Sequence, residues 1–322
     1  MAFKFVLLPP QTDVYRDWAR KLSGALPELE VVVAENEAEA DSAIMNADGA
    51  LGTITPDLLA KASRLRWLQA HHAAPPAGYY SPELIAHPVT VTNMREIFND
   101  HIGAHIMAYI LAFARGLSHY IPQQLRREWK PLPLDTGIIH LPESTLLIVG
   151  VGGIGAEVAR LAKAFGITVI ATDARRALPP PGVDEIYEPA HLDQLLHRAE
   201  FVVLTVPHTP ETEGFMNRSR FQRMKPNSFF INIGRGKTTL LEDLVASLQA
   251  REIAGAALDV FEEEPLPPEH PLWTMPNVLI TPHVAGYGPY LDDRRFEIIL
   301  DNCRAMIHGT PLRNVVDKRS WF

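Results

Sequence analysis

The chain has 322 residues, with 30 lysines and arginines against 38 aspartates and glutamates, for a net charge of -8 at neutral pH. That length suits two domains of ordinary size, and the acidic balance offers no electrostatic footprint for nucleic acid or an anionic membrane, which leaves a small molecule as the expected partner. A single cysteine, Cys303, excludes a disulfide framework and a cysteine-based metal site and fits a reducing cytoplasm.

In chain order, the apolar start is short and ends in Pro9-Pro10, so it reads as a first strand and not as a signal peptide. Up to about residue 98, short β-rich runs at 3–8, 30–34, 49–52, 65–69 and 89–92 alternate with helical stretches to about Leu26, near 38–46 and after Pro56. Such alternation predicts a parallel sheet with helices on its faces. His71 and His72 follow the fourth run and open the loop from Ala73 to Tyr80, which reads either as a substrate-facing loop or as a proline-stiffened surface turn.

A long apolar helix is expected over 99–116, followed by a polar helix and a proline-spaced segment at 131–137. The apolar surface of the long helix suggests packing across a domain or subunit interface. No run reaches the ~20 apolar residues needed to span a bilayer. His101 and His105 share a helix face at i,i+4, as in metal sites, but no third ligand is near in sequence and no metal is expected.

A second alternating set begins with the strand Thr145–Val149 and runs on through 168–172, 201–206, 228–233, 254–258 and 278–280. The first of these strands leads into Gly150-Val151-Gly152-Gly153-Ile154-Gly155 and then a helical pattern to Phe165. Strand, glycine turn and helix in that order predict a dinucleotide site: Gly150 and Gly152 permit a tight turn near a pyrophosphate, and Gly155 allows the helix to pack close to the strand. Asp173 ends the next strand, 18 residues past Gly155, near the ~20 at which an acid meets the adenosine ribose. Its charge argues for NAD. Arg175 and Arg176 are placed where a 2′-phosphate could be attracted, so NADP is the alternative, unless they are solvated residues opening the loop with Pro179-Pro180-Pro181-Gly182.

Three later segments each follow an apolar run with strand character: Ile231-Asn-Ile-Gly-Arg-Gly236, Asp259-Val-Phe-Glu-Glu-Glu-Pro265 and Thr281-Pro-His-Val-Ala-Gly286. They place Arg235, Glu264 and His283 past the carboxyl ends of parallel strands, where open α/β sheets bind ligands. An arginine that forks onto a carboxylate, a histidine that moves a proton and a carboxylate that holds the histidine are parts for oxidising or reducing a hydroxy acid beside a nicotinamide ring. A last helix is expected from after Pro289 to about His308, crossing back to cover the first domain.

With these residues in place, the chain resembles the NAD-dependent D-isomer-specific 2-hydroxyacid dehydrogenases. The glycine turn, Val206-Pro-His-Thr-Pro-Glu-Thr212, Met224-Lys-Pro-Asn227, the Arg235 segment, Ala254-Gly-Ala-Ala-Leu-Asp-Val-Phe261 and Thr281-Pro-His283 match family motifs in order. The resemblance implies two Rossmann-like or flavodoxin-like parallel-sheet domains with a cleft between them. Residues 1–98 with 289–322 would form the substrate domain and 99–288 the dinucleotide-binding domain. It implies hydride transfer between NAD(H) and a small 2-hydroxy or 2-oxo acid, in the manner of glyoxylate/hydroxypyruvate reductases. Arg235 would bind the substrate, His283 act as acid/base and Glu264 as its partner. Pro207, Thr212 and Asp259 would join the cofactor contacts, Asp259 at the nicotinamide carboxamide, and Ala73 and Ala74 the substrate contacts. A cytoplasmic homodimer is implied, with the 99–116 helix at the interface because its apolar surface exceeds what one small sheet can cover. The competing class is an NADH-sensing binding protein. Three departures from the family pattern stand out: Ala74-Pro75-Pro76 in the substrate loop, Ala104 in place of an acid, and Lys237-Thr-Thr-Leu-Leu241 in place of an early aspartate.

Overall fold

The computed structural model describes residues 3–73, 78–133 and 138–319. Ala74, Pro75 and Pro76 and the end of the 131–137 segment lie outside the described residues. The chain divides into two compact units, Met1–Ile97 with Gly288–Phe322, and Phe98–Tyr287.

The first unit alternates β1 (Phe3–Leu7), α1 (Asp13–Ala25), β2 (Leu29–Val33), α2 (Glu37–Ile44), β3 (Gly49–Leu51), α3 (Pro56–Lys61), β4 (Trp67–Gln69), α4 (Pro82–Ala86) and β5 (Thr90–Thr92). Helix starts are marked in the sequence. Thr12, Asn36, Thr55 and Ser81 each accept from a backbone amide in the first turn, and Pro56 and Pro82 open α3 and α4, where a missing N–H costs nothing. The strands form one parallel sheet in the order β2-β1-β3-β4-β5.

The second unit holds α5 (Asn99–Ala114), α6 (Leu117–Arg126), β6 (Thr145–Val149), α7 (Gly153–Ala164), β7 (Thr168–Thr172), β8 (Glu185–Tyr187), α8 (Leu192–Leu195), β9 (Phe201–Leu204), α9 (Arg218–Phe221), β10 (Phe229–Asn232), α10 (Leu241–Gln249), β11 (Gly255–Leu258) and β12 (Val278–Ile280). Its sheet is parallel throughout, in the order β12-β11-β10-β9-β6-β7-β8. Chain direction across the sheet reverses at β6, so the β6 and β9 ends flank the switch point where such sheets open a crevice. Two cores sit on its two faces. Leu146, Ile148, Val203 and Ile231 point to one and Leu147, Val149, Val202 and Phe230 to the other, as the two-residue period of a strand requires. The last helix, α11 (Leu291–His308), belongs to the first unit and packs on α1, and the tail beyond it pairs Val315 with Thr92.

Two expectations need correction. The edge strand β8 is absent from the sequence reading, because three residues opening on a charge carry no apolar run; Arg198 holds it by an ion pair to Glu185 at 2.8 Å. The apolar surface of α5 is also not surplus. Ile106, Met107, Tyr109, Ile110 and Phe113 are buried in the core of their own unit, and Ala104 and Ala108 face outward. Gly103 permits that burial, since a Cβ there would stand 2.8 Å from Glu157 Cγ of α7. Among the described residues no helix is long and apolar enough to cross a membrane.

Candidate active site

The glycine turn follows β6 directly. Gly150 has φ 94°, a left-handed conformation suited to glycine, and a Cβ there would meet Val206 Cγ1 at 2.8 Å. Gly155 brings α7 onto the strand so closely that a Cβ would lie 2.3 Å from the Gly150 carbonyl oxygen. Gly152 opens onto free space, and α7 starts at Gly153 and Ile154 with no side chain capping its first amides. A 12-residue helix with bare amide donors and a glycine where a side chain would intrude fits a pyrophosphate.

Asp173 stands past β7, and its carboxylate accepts from the backbone of Val151 at 2.7 Å, Arg175 at 2.8 Å and Arg176 at 3.0 Å. It therefore ties the glycine turn to the next strand end. Arg176 Nε donates to the Val151 carbonyl at 2.8 Å, which puts a cation beside the same turn. Thr205, at the end of β9, donates to the Gly150 carbonyl at 2.6 Å and so joins both sides of the switch point. The Thr212 hydroxyl donates to the Pro207 carbonyl at 2.7 Å and accepts from Thr209 N at 2.7 Å, bracing the 207–212 loop.

Past β10, two glycines set the position of Arg235. A Cβ at Gly234 would lie 2.6 Å from the Val206 carbonyl, and one at Gly236 only 1.7 Å from the Phe261 carbonyl. Only a bare backbone lets this loop pack on those after β9 and β11. Asn232 pins the loop from below. Its amide accepts from Gly234 N at 2.9 Å and donates to the Arg235 carbonyl at 3.2 Å and to Thr239 Oγ1 at 3.0 Å. The Arg235 guanidinium donates to the Gly234 carbonyl at 2.6 Å. Burial lowers its pKa, while the Glu264 charge opposes the shift. A cation so desolvated is stabilised by an anion.

Glu264 divides its carboxylate between two tasks. Oε1 accepts from Phe261 N at 2.9 Å, and Oε2 meets His283 Nδ1 at 2.7 Å. Among the described residues His283 Nε2 has no partner, and the side chain is 52% exposed, so this nitrogen is the one free to exchange a proton. The His283 backbone has φ 53°. Asp259, 1% exposed, holds that turn: its own carbonyl accepts from His283 N at 2.9 Å, and its carboxylate accepts from Val284 N, Ala285 N and the Thr281 hydroxyl.

Arg235, Glu264 and His283 are thus on three loops of one sheet edge, with Glu264 interacting with both partners. In the first unit the Ala73 carbonyl accepts from Asn93 Nδ2 at 2.9 Å, and the His71 and His72 rings lie 3.9 Å apart by centroid. Ala74 is outside the described residues. The sequence reading had no role for Asn232 or Thr205. A buried Asn between two isoleucines was the available signal for the first, and an isolated Thr carried none for the second.

Residues 107–285 match the family model described as D-isomer specific 2-hydroxyacid dehydrogenase, NAD binding domain. Glyoxylate/hydroxypyruvate reductase A of Yersinia enterocolitica is 34% identical over 66% of this chain, and the match spans just under two thirds, 66%, of that relative's length. Glyoxylate reductase of Thermofilum pendens is 33% identical over 74% of this chain and 70% of its own. The crystal structure of a D-isomer specific 2-hydroxyacid dehydrogenase from Xanthobacter autotrophicus Py2, in complex with NADPH and MES, superposes with a TM-score of 0.85 at 28% identity over 100% of both chains. This chain belongs to the D-isomer specific 2-hydroxyacid dehydrogenase family.

Proposed function

We propose that the protein is a nicotinamide-dependent reductase of a small 2-oxo acid, of the glyoxylate or hydroxypyruvate kind, working reversibly on the matching D-2-hydroxy acid. The observation that carries this reading is the His283–Glu264 bond of 2.7 Å beside a desolvated Arg235. The dihydronicotinamide, when bound, supplies the hydride pair to the carbonyl carbon. His283 gives the proton on Nε2 to the carbonyl oxygen as charge builds there, and takes it back in oxidation. Glu264, 2.7 Å from Nδ1, keeps the other ring proton there and so fixes the orientation and tautomer of the imidazole. Arg235 holds the substrate carboxylate and the developing oxyanion together, a task for which a planar fork is better shaped than an ammonium.

Gly150, Gly152, Gly153, Ile154 and Gly155 would hold the pyrophosphate and Asp173 the adenosine ribose, with NADH preferred and NADPH the alternative. Supporting NADH is the Asp173 charge; supporting NADPH are Arg176 beside the turn and the NADPH held by the Xanthobacter relative. Pro207 and Thr212 shape the wall of the site, and Asp259 lies near the carboxamide end. The first unit is read as the substrate domain. A homodimer is also proposed. Its support is the exposed row Leu117, Ile121 and Leu125, spaced by four residues along α6, with Leu125 81% exposed and Trp129, just past the end of the helix, 96% exposed.

One experiment tests the function: initial rates with NADH and NADPH against glyoxylate, hydroxypyruvate, pyruvate and a branched 2-oxo acid. Turnover of at least one acid at a rate typical of enzymes, roughly 1 per second or more, is expected. Tight cofactor binding without turnover of any of them would point to a sensor instead. Sedimentation equilibrium checks the dimer, and a single-chain mass at micromolar concentration would refute it.

A further inference from the structure

The loop that carries His283 is held from one side by a carboxylate whose own partners lead back to α5. Asp259 is buried, so its oxygens need donors. Val284 N and Ala285 N supply two, at 2.9 and 3.0 Å, and the Thr281 hydroxyl supplies the third at 2.5 Å. Thr281 has one proton, and that bond uses it. Its lone pairs are then left for donors, and two reach them from α5: Tyr109 Oη at 2.5 Å and His105 Nε2 at 3.1 Å. The His105 ring stands edge-on to Tyr109 at 87°, which keeps both in register. Burial disfavours the charged form of His105, with the Asp259 charge opposing, so a neutral ring bearing its proton on Nε2 completes the chain of donors.

The order of donation that satisfies Asp259 runs from His105 and Tyr109 to Thr281 and from Thr281 to Asp259, the Leu258 carbonyl being a second, longer acceptor for the Tyr109 proton at 3.3 Å. Residues 281, 284 and 285 are gripped by one carboxylate, and His283, at φ 53°, lies between them. A histidine in that conformation persists only where its surroundings over-determine it. We propose that His105 and Tyr109, acting through the Thr281 hydroxyl, are positioning residues that set the His283 ring against Glu264 for proton transfer. This rests on the reading of His283 as the acid/base.

The test is Thr281→Val, which keeps the side-chain shape and removes the hydroxyl, with Thr281→Ser as the variant that returns it. Two quantities are read: kcat and KM for the best 2-oxo acid, and the downfield ¹H–¹⁵N NMR signal of the His283 Nδ1 proton in its bond to Glu264. Thr281→Val is expected to lower kcat roughly tenfold to a hundredfold, the scale on which small misplacements act. KM should change little, and the Nδ1 signal should shift or broaden. Thr281→Ser should restore both. Tyr109→Phe, which keeps the ring, should move the same signal in the same direction and serves if the valine variant does not fold. An unchanged Nδ1 signal, whether or not kcat falls, would overturn the proposal by making the network a matter of stability alone. If the wild type reduces no 2-oxo acid while the signal still responds to Thr281→Val, the proposed function fails and the positioning stands.

Discussion

Both sheets end their strands in buried polar side chains, yet the two networks lead to different places. In the first unit Trp67 Nε1 donates to Thr92 Oγ1 at 2.8 Å, Thr92 donates to Gln69 Oε1 at 2.7 Å, and Asn302 Nδ2 of α11 donates to the same oxygen at 3.0 Å. The Asn302 carbonyl oxygen then accepts from Arg313 N at 2.7 Å. That network closes on itself and fastens a helix to a sheet. In the second unit the buried side chains of Asn232 and Asp259 are also satisfied, but their bonds end on the loops that carry Arg235 and His283. The same chemistry fastens a helix to a sheet in one place and sets the loops of Arg235 and His283 in the other. Burial of polar atoms alone therefore does not mark a site; what marks it is a network that ends on a side chain with a free polar atom.

The comparison breaks most visibly at His283. His283→Ala removes the ring nitrogen that the Glu264 bond leaves available for proton exchange, and kcat is expected to fall by roughly 10²–10⁴ with cofactor affinity nearly unchanged. Single-turnover rates with the best oxo acid check this. A variant that keeps more than half the wild-type rate would refute the assignment. Next in size is Arg235→Lys. It retains a charge but loses the fork, and kcat/KM should fall by about 10² or more, since one residue is asked to hold both a carboxylate and an oxyanion. Near-normal kinetics would make Arg235 a structural cation and place the anion site elsewhere.

These residues were legible in the sequence for a physical reason. Arg235, Glu264 and His283 follow apolar strand runs, and the glycines beside Arg235 are required by contacts as close as 1.7 Å to the Phe261 carbonyl. A polar residue just past a buried strand is visible in one dimension. Contacts between distant positions are not. His105 reads as half of a possible metal pair, and only the fold brings it to Thr281, 176 residues on. Asp259 reads as a cofactor contact, and only the fold shows that both its oxygens hold the His283 turn. The apolar length of α5 was plain, but whether it was spare depended on α7, which covers it because residue 103 is glycine.

Asn302→Leu tests the closed network by a change of similar volume. It strips one donor from Gln69 and leaves the Arg313 amide without its acceptor, a buried loss of about 1–3 kcal/mol. Thermal unfolding should shift down by a few degrees, on the order of 2–4 °C per kcal/mol for a domain of this size class. Activity per folded molecule should change little, in contrast to Thr281→Val. A variant as stable as the wild type would show that the Asn302 bonds are replaced by water without cost.

The smallest effect is expected at the β4 end of the first unit, where the polar atoms are not all satisfied. His71 Nδ1 is buried without a hydrogen-bond partner among the described residues. Burial first, then the neighbouring His72 and Arg295, lowers the His71 pKa to about 4, and burial and Arg295 lower that of His72 as well. The unfolded chain takes up a proton at His71 near its ordinary value of about 6.5, whereas the folded chain does not until about pH 4. The unfolded state thus binds more protons across that window, so stability is full above it and declines as pH falls through it, levelling off below. His71→Phe should make the decline of unfolding free energy between pH 6.5 and 4 shallower by at most one proton, and by less where water relaxes around a half-buried ring. Denaturant titrations across that range measure the slope. An unchanged slope would mean that His71 titrates alike in both states and that its environment, unlike the pinned loops of the second unit, exerts no hold on its charge.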